Sequence, residues 1–347
     1  MTTRNNRALA NRTGELTMFR AFFITSLDGT PSHEIREIDT ADLPAGDVVV
    51  DVSHSSVNYK DGLAISGKGK IIRGTLPFVP GIDLAGTVIS SDSEDFRPDD
   101  RVLATGWGLG EKNWGGYTER ARLHSEWLVP IPSDLSNREA MILGTAGLTA
   151  MLAVMALEGH GVRPDEGEVV VTGASGGVGS IAVALLSRLG FTVVASTGKE
   201  SAHPFLRALG ASRFIGRDDV SQSAGKPLAS ARWSGAVDTV GGETLAGILA
   251  ELRTHGSVAS CGNARSAELH TTVFPFILRG TNLLGIDSNT ASGEQRRKAW
   301  QRLATDLPKP ILSSVESRAI PLADLPAAAE EITRGAVRGR IVVDVKS

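Results

Sequence analysis

The sequence predicts an α/β chain of two domains, a mostly antiparallel β domain and a doubly wound parallel sheet. The 347 residues are long for a single hydrophobic core. From Met18 to about Pro132, short β-compatible runs are broken by Gly, Pro and Asp. From Asn137 onward, strand-like and helix-like stretches alternate, the pattern of a parallel sheet with crossover helices.

In the first part the strand candidates include Phe22–Ser26, Asp47–Ser53, Gly86–Ser90, Arg101–Thr105 and Glu126–Val129. Turn signals at Asp28-Gly29, Pro44-Ala45-Gly46 and Pro98-Asp99-Asp100 separate them. A helix over Arg138–Glu158 follows, then strand Val169–Val171, helix Val178–Leu189 and strand Thr192–Ala195. Helix Ser201–Leu209, strands Arg213–Ile215 and Ala236–Thr239, helix Glu243–Leu252, and strands Ser257–Ser260 and Leu283–Ile286 continue the alternation. Gly293–Asp306 reads as a helix leading back out, and Ile320 to Val345 returns to β texture. The parallel-sheet domain, 139–290, is therefore inserted in the other, 18–138 with 291–347. Residues 1–17 are polar and basic, with no apolar stretch of the kind a signal peptide needs. They read as a disordered extension, a cloning remnant or an upstream start before Met18.

Composition is that of a soluble globular enzyme, 41% hydrophobic and 22% charged. A net charge of −3 argues against nucleic acid as a partner. No membrane span is expected, because no apolar run reaches about 18 residues. The single cysteine, Cys261, excludes an intrachain disulfide and a multi-cysteine zinc site; among small apolar neighbours it reads as buried and inert. The histidines show no ligand spacing. Cytoplasmic residence follows by default.

The most informative stretch is Glu168 to Gly179, where a β-branched run enters a glycine cluster and a helix begins at once. Glycines let the backbone approach a pyrophosphate, and helix N-terminal amides stabilise its charge. Ser175, Gly176, Gly177 and Val178 are the candidate contacts. The next strand should end beside the adenosine ribose, where an NAD enzyme places a carboxylate. Here the chain reads Ser196-Thr197-Gly198-Lys199, hydroxyls and a cation that suit a 2′-phosphate. Thr197, Gly198 and Lys199, with Arg217 as a second cation, therefore point to NADPH. An ordinary solvated lysine is the alternative for Lys199, and Glu200 reads as the start of the following helix.

With these residues in place, the chain resembles the zinc-free, quinone-oxidoreductase-like branch of the medium-chain dehydrogenase/reductase superfamily, and within it the acrylyl-CoA reductase family. The matching stretches include Ser56-Val-Asn-Tyr-Lys-Asp61, Pro80-Gly-Ile-Asp-Leu-Ala-Gly86, Gly144-Thr-Ala-Gly147, Thr172 to Gly179, Val237-Asp-Thr-Val-Gly241 and Gly339-Arg340, spread over Met18 to Val345. The resemblance implies a GroES-like β domain beside a Rossmann domain, with the nicotinamide between them. It implies no metal: zinc-dependent relatives carry Cys and His where this chain has Asn58 and Ile82, side chains that do not ligate zinc.

The resemblance also assigns Tyr59, Asn263, Ile277 and Ser288 to the nicotinamide end. Two roles fit Tyr59, the candidate catalytic residue: a proton or hydrogen-bond donor, or a packing wall over the ring. Asn58, Lys60 and Asp61 read as sharing its loop, where a Lys60–Asp61 pair would be structural. Lys68, Lys70 and Arg73 suit either the phosphates of coenzyme A or a solvated basic loop. Trp107 and Trp114 fit a cleft cover or core packing equally. The implied activity is reduction of the double bond of a short 2-enoyl-CoA such as acryloyl-CoA, by a homodimer. A quinone or enone reductase on the same scaffold is the alternative; a nucleotide-binding protein without catalysis is the third reading.

Overall fold

The computed structural model describes residues 18–28 and 30–347. The expectation for residues 1–17 lies outside them. The first part holds β1 (Met18–Ser26), β2 (Ser32–Asp39), β3 (Val48–Val57), α1 (Tyr59–Ile65), β4 (Asp83–Ser91), β5 (Arg101–Thr105), β6 (Arg120–Leu123) and β7 (Leu128–Pro130). The long helix α2 (Asn137–Gly159) leads into β8 (Glu168–Val171), α3 (Gly177–Arg188), β9 (Thr192–Ser196), α4 (His203–Ala208), β10 (Arg213–Ile215) and α5 (Arg217–Ser221). Next come β11 (Trp233–Asp238), α6 (Gly242–Glu251), β12 (Leu252–Ser260), α7 (Phe274–Arg279) and β13 (Asn282–Gly285). The return path is α8 (Gly293–Asp306), α9 (Lys309–Val315), β14 (Glu316–Pro321), α10 (Leu325–Thr333) and β15 (Arg340–Asp344).

Six strands form a wholly parallel sheet in the order β10-β9-β8-β11-β12-β13. Its central strands are buried on both faces, which is why they read as valine runs without alternation. A seven-stranded sheet takes β3 to β7 from the first part and β14 and β15 from the last. Its contacts are antiparallel except where β14 lies beside β15. The α/β class and the return of the chain to the first sheet are as the residues predict. The expected boundary at 138/139 falls inside the first turn of α2.

That helix is one correction. Asn137–Gly159 is long and apolar enough to cross a membrane, yet 78% of its apolar window is buried inside the molecule. It is the core helix, started by a reciprocal Ser136–Glu139 cap and bent at Gly144, and it packs α3, α8 and both sheets. Glu126–Val129 is not one strand: the Asp47 carboxylate takes the Ser125 amide and hydroxyl, curling Ser125–Trp127 into a 3-10 turn. Ile320 to Val345 is not all β either. Its alanine-rich centre forms α10, as helix propensity favours.

Candidate active site

The chain leaves β8 through Thr172 and turns at Gly173, whose φ of 57° is open to glycine at no cost. A Cβ at Gly173 would lie 2.3 Å from Thr239 Oγ1, and one at Gly179 2.4 Å from Gly173 O. Turn and helix therefore touch as backbone. Gly176 faces open space by comparison, its nearest neighbour being Gly173 O at 3.3 Å. The amides of Gly177, Val178 and Gly179 open α3 without an intrahelical acceptor, an anion cradle by construction.

Behind β9 the predicted ribose residues are gathered. Thr197 is buried and donates to Ser175 Oγ at 3.3 Å, while its own hydroxyl takes the Lys199 amide at 3.2 Å. Arg217 leans over Gly198, so that a Cβ there would sit 2.8 Å from its Nε. Burial, and then the neighbouring Arg217 charge, lower the Lys199 ammonium pKa. No carboxylate forms an ion pair with either cation among the described residues. Two unneutralised cations over a glycine, next to an anion cradle, fit a phosphorylated ribose.

Tyr59 does not stand on a loop; it opens α1, which Asn58 and Asp61 cap. Its ring is 43% exposed. The expected Lys60–Asp61 pair does not form. Lys60 reaches Glu111 at 2.7 Å, and Asp61 turns inward to accept the amides of Asn58 at 2.8 Å and Ile82 at 3.0 Å. Burial, and then the Asp83 charge, raise the Asp61 pKa to about 8, against the pull of the Asn58 bonds.

Beneath Tyr59 lies a buried ionic cluster that sequence reasoning missed. Asp83 accepts Ser56 Oγ at 2.8 Å, Asn58 Nδ2 at 3.1 Å and the Thr145 amide at 2.8 Å. Arg340 lies 4.0 Å from Asp83 and donates to Asn58 Oδ1 at 2.9 Å, to Ser56 Oγ and to Ile142 O at 3.0 Å. Gly144 closes the cluster at φ 50°, where a Cβ would fall 2.5 Å from Asp83 Oδ2 and 2.7 Å from Arg340 Nη2. The residues here do not fit a zinc ion: positions 58 and 82 offer an amide and an alkyl chain, and the cation facing the carboxylates is a guanidinium. Thr145 Oγ1 is buried with no hydrogen-bond partner among the described residues.

Ser288 is tied to α2 through Thr149: the Thr149 hydroxyl donates to Thr145 O at 2.7 Å and accepts the Ser288 hydroxyl at 2.8 Å. Asn263 is exposed just past β12, beside Gly241. Ile277 stands 67% exposed on α7 among Val273, Phe274 and Leu278, not tied to Ser288 or Tyr59 by any bond. Lys68, Lys70 and Arg73 are exposed on the loop after α1, with the Arg73 amide held by Glu111 O at 2.7 Å. Trp114 is half-buried and packs edge-on against Phe23 at the margin of a small cluster. Trp107, at φ 56°, carries the buried Arg296 guanidinium 4.7 Å from its ring centre.

Residues 44–133 match the model of the alcohol dehydrogenase GroES-like domain, and residues 177–305 that of the zinc-binding dehydrogenase. The probable acrylyl-CoA reductase AcuI of Escherichia coli is 51% identical over 94% of this chain and 99% of its own length. The chain belongs to the zinc-free, quinone-oxidoreductase-like branch of the medium-chain dehydrogenases/reductases. The acrylyl-CoA reductase AcuI of Ruegeria pomeroyi, at 47% identity, covers 95% of this chain and all of its own. The yhdH oxidoreductase of Salmonella enterica, solved in complex with NADP, superposes with a TM-score of 0.91 at 51% identity, over 94% of this chain and 99% of its own. The first matched stretch covers β3 to β7 and the second runs from α3 through β13; β1, β2, β8, β14 and β15 lie outside both.

Proposed function

We propose that the chain is an NADPH-dependent reductase of the carbon–carbon double bond of a short 2-enoyl-CoA, acryloyl-CoA to propanoyl-CoA. What carries this reading is the near-full-length likeness to acrylyl-CoA reductases together with the unneutralised Lys199–Arg217 pair. Bound NADPH supplies the hydride. Ser175, Gly176, Gly177 and Val178 hold the pyrophosphate, while Thr197, Gly198, Lys199 and Arg217 hold the phosphorylated ribose. Asn263, Ile277 and Ser288 border the nicotinamide. Addition at the β-carbon of the substrate drives charge onto the thioester oxygen, which fixed donors in a dry crevice stabilise. Tyr59, exposed and with a hydroxyl that no described residue binds, orients that oxygen or returns the proton to the α-carbon. In this reading residues 18–138 with 291–347 are the catalytic domain and 139–290 the cofactor domain. A single cysteine, which leaves the chain without an internal disulfide, suits a reducing compartment such as the cytoplasm.

Lys68, Lys70 and Arg73 take the phosphates of coenzyme A in this reading. Neutralising all of them should raise KM for acryloyl-CoA about tenfold, as loss of exposed charge-assisted bonds does, while an acryloyl-pantetheine thioester keeps its KM. Following NADPH oxidation with acryloyl-CoA, crotonyl-CoA, free acrylate and a benzoquinone in parallel tests the substrate class. Quinone turnover without thioester turnover would reject the acyl-CoA reading.

The reading includes a homodimer. β13 is an edge strand, and Ile277 and Leu278, 67% and 61% exposed, lie on the helix that precedes it. An unpaired edge beside an apolar face is what a second copy covers. Leu278→Lys should shift the mass measured by light scattering after gel filtration from dimer to monomer; a monomeric parent protein would refute the assignment.

A further inference from the structure

The loop between α10 and β15 belongs to the seven-stranded sheet but lies against the cofactor side of the molecule. Val337 O accepts the Lys199 ammonium at 3.3 Å, and the Gly339 amide donates to Ser175 O at 3.0 Å. The loop thus spans from the phosphorylated-ribose residues to the glycine turn. It is pressed down there: Gly339 has φ 67°, and a Cβ on it would meet Val315 O at 2.1 Å and the Phe205 ring at 3.7 Å. Arg338 stands between these two anchored residues. Its guanidinium rests 5.1 Å from the Phe205 ring centre, solvent-exposed, and no carboxylate pairs with it among the described residues. Arg338 is thus a third cation with no carboxylate partner among the described residues, flanked in sequence by the residues that bond Lys199 and Ser175.

We propose that Arg338 is a specificity residue for the phosphorylated cofactor, reaching across the domain boundary to the 2′-phosphate opposite Lys199 and Arg217. The proposal rests on the NADPH reading above. It makes recognition of the phosphate a joint property of the two domains, coupled through the Gly339–Ser175 bond, where the glycine motif alone would place it in the parallel-sheet domain.

Calorimetric titration of the full chain with 2′,5′-ADP and with 5′-AMP isolates the phosphate from the rest of the cofactor and needs no turnover. Arg338→Met keeps the alkyl stem on Phe205 and removes the charge; a thermal melt matching the parent protein shows that it folds. The variant should bind 2′,5′-ADP about tenfold more weakly, the loss expected of a solvent-exposed charge-assisted contact, with 5′-AMP changed less than twofold. Arg338→Lys should recover part of the difference. Equal weakening of both nucleotides, or of neither, would overturn the role of Arg338. A parent protein that binds the two nucleotides equally would instead overturn the NADPH reading.

Discussion

Replacing Arg340 with methionine should lower stability by about 3–5 kcal/mol, the range seen when one partner of a buried ion pair is removed. Arg340 is 2% exposed and Asp83 fully buried, so water cannot replace the lost charge. Methionine fills a similar volume, which keeps the cost electrostatic. What remains is the buried Asp83 carboxylate with its facing cation gone, and carbonyl and amide oxygens at Ile142 and Asn58 without their donor. For a protein of this size the melting temperature should fall by on the order of 10 °C. Asp83→Asn in the Arg340→Met background should restore part of it, because the second change removes an uncompensated charge. A loss under about 1 kcal/mol in denaturant titration would mean that the pair is solvated or replaceable and the cluster carries little. Activity should fall with stability, since Ser56 and Asn58, which Arg340 holds, position the start of α1 and hence Tyr59.

That cluster also marks where the sequence stopped being readable. The glycine turn was legible because everything that defines it is local: a valine strand, a tight turn and a helix start lie within a dozen consecutive residues. Thr197 and Lys199 were legible because a β strand delivers its last residues to a fixed place beside the turn. Asp83, Ser56, Thr145 and Arg340 come from four segments, with Arg340 and Ser56 separated by 284 positions, and no periodicity reports such a meeting. Arg296 is a similar case. It sits in a helix of charged residues and gives no sign that its guanidinium is buried against Thr105, Ser288 and Asn289. α1 was missed for a different reason. Asn58 and Asp61 form its cap, but the helix is only seven residues long, too short for a hydrophobic repeat. β2, paired with β1 and rich in charge, was missed because an exposed hairpin arm has no apolar face to alternate.

Lys199→Asp should reverse the choice of nicotinamide. The ammonium of Lys199 is partly buried beside Arg217 and carries no carboxylate partner, so its charge is disfavoured until a phosphate arrives. Removing it forfeits a charge-assisted contact of about 1.5–3 kcal/mol. The new carboxylate adds repulsion toward the phosphate that Arg217 offsets only in part, for a total of roughly 3–4 kcal/mol, or a few hundredfold in kcat/KM for NADPH. NADH meets the opposite change. Its ribose hydroxyls are donors that a carboxylate at the end of this strand accepts, so kcat/KM with NADH should hold steady or rise. Lys199→Met separates the two terms, losing the attraction without gaining the repulsion, and should cost NADPH roughly 10- to 150-fold. Steady-state kinetics with both cofactors on the three proteins reads the outcome directly. If Lys199→Asp leaves the ratio of the two kcat/KM values where it was, the Lys199 ammonium does not read the 2′-phosphate. Recognition would then fall to Arg217, whose guanidinium overhangs Gly198 from the start of α5.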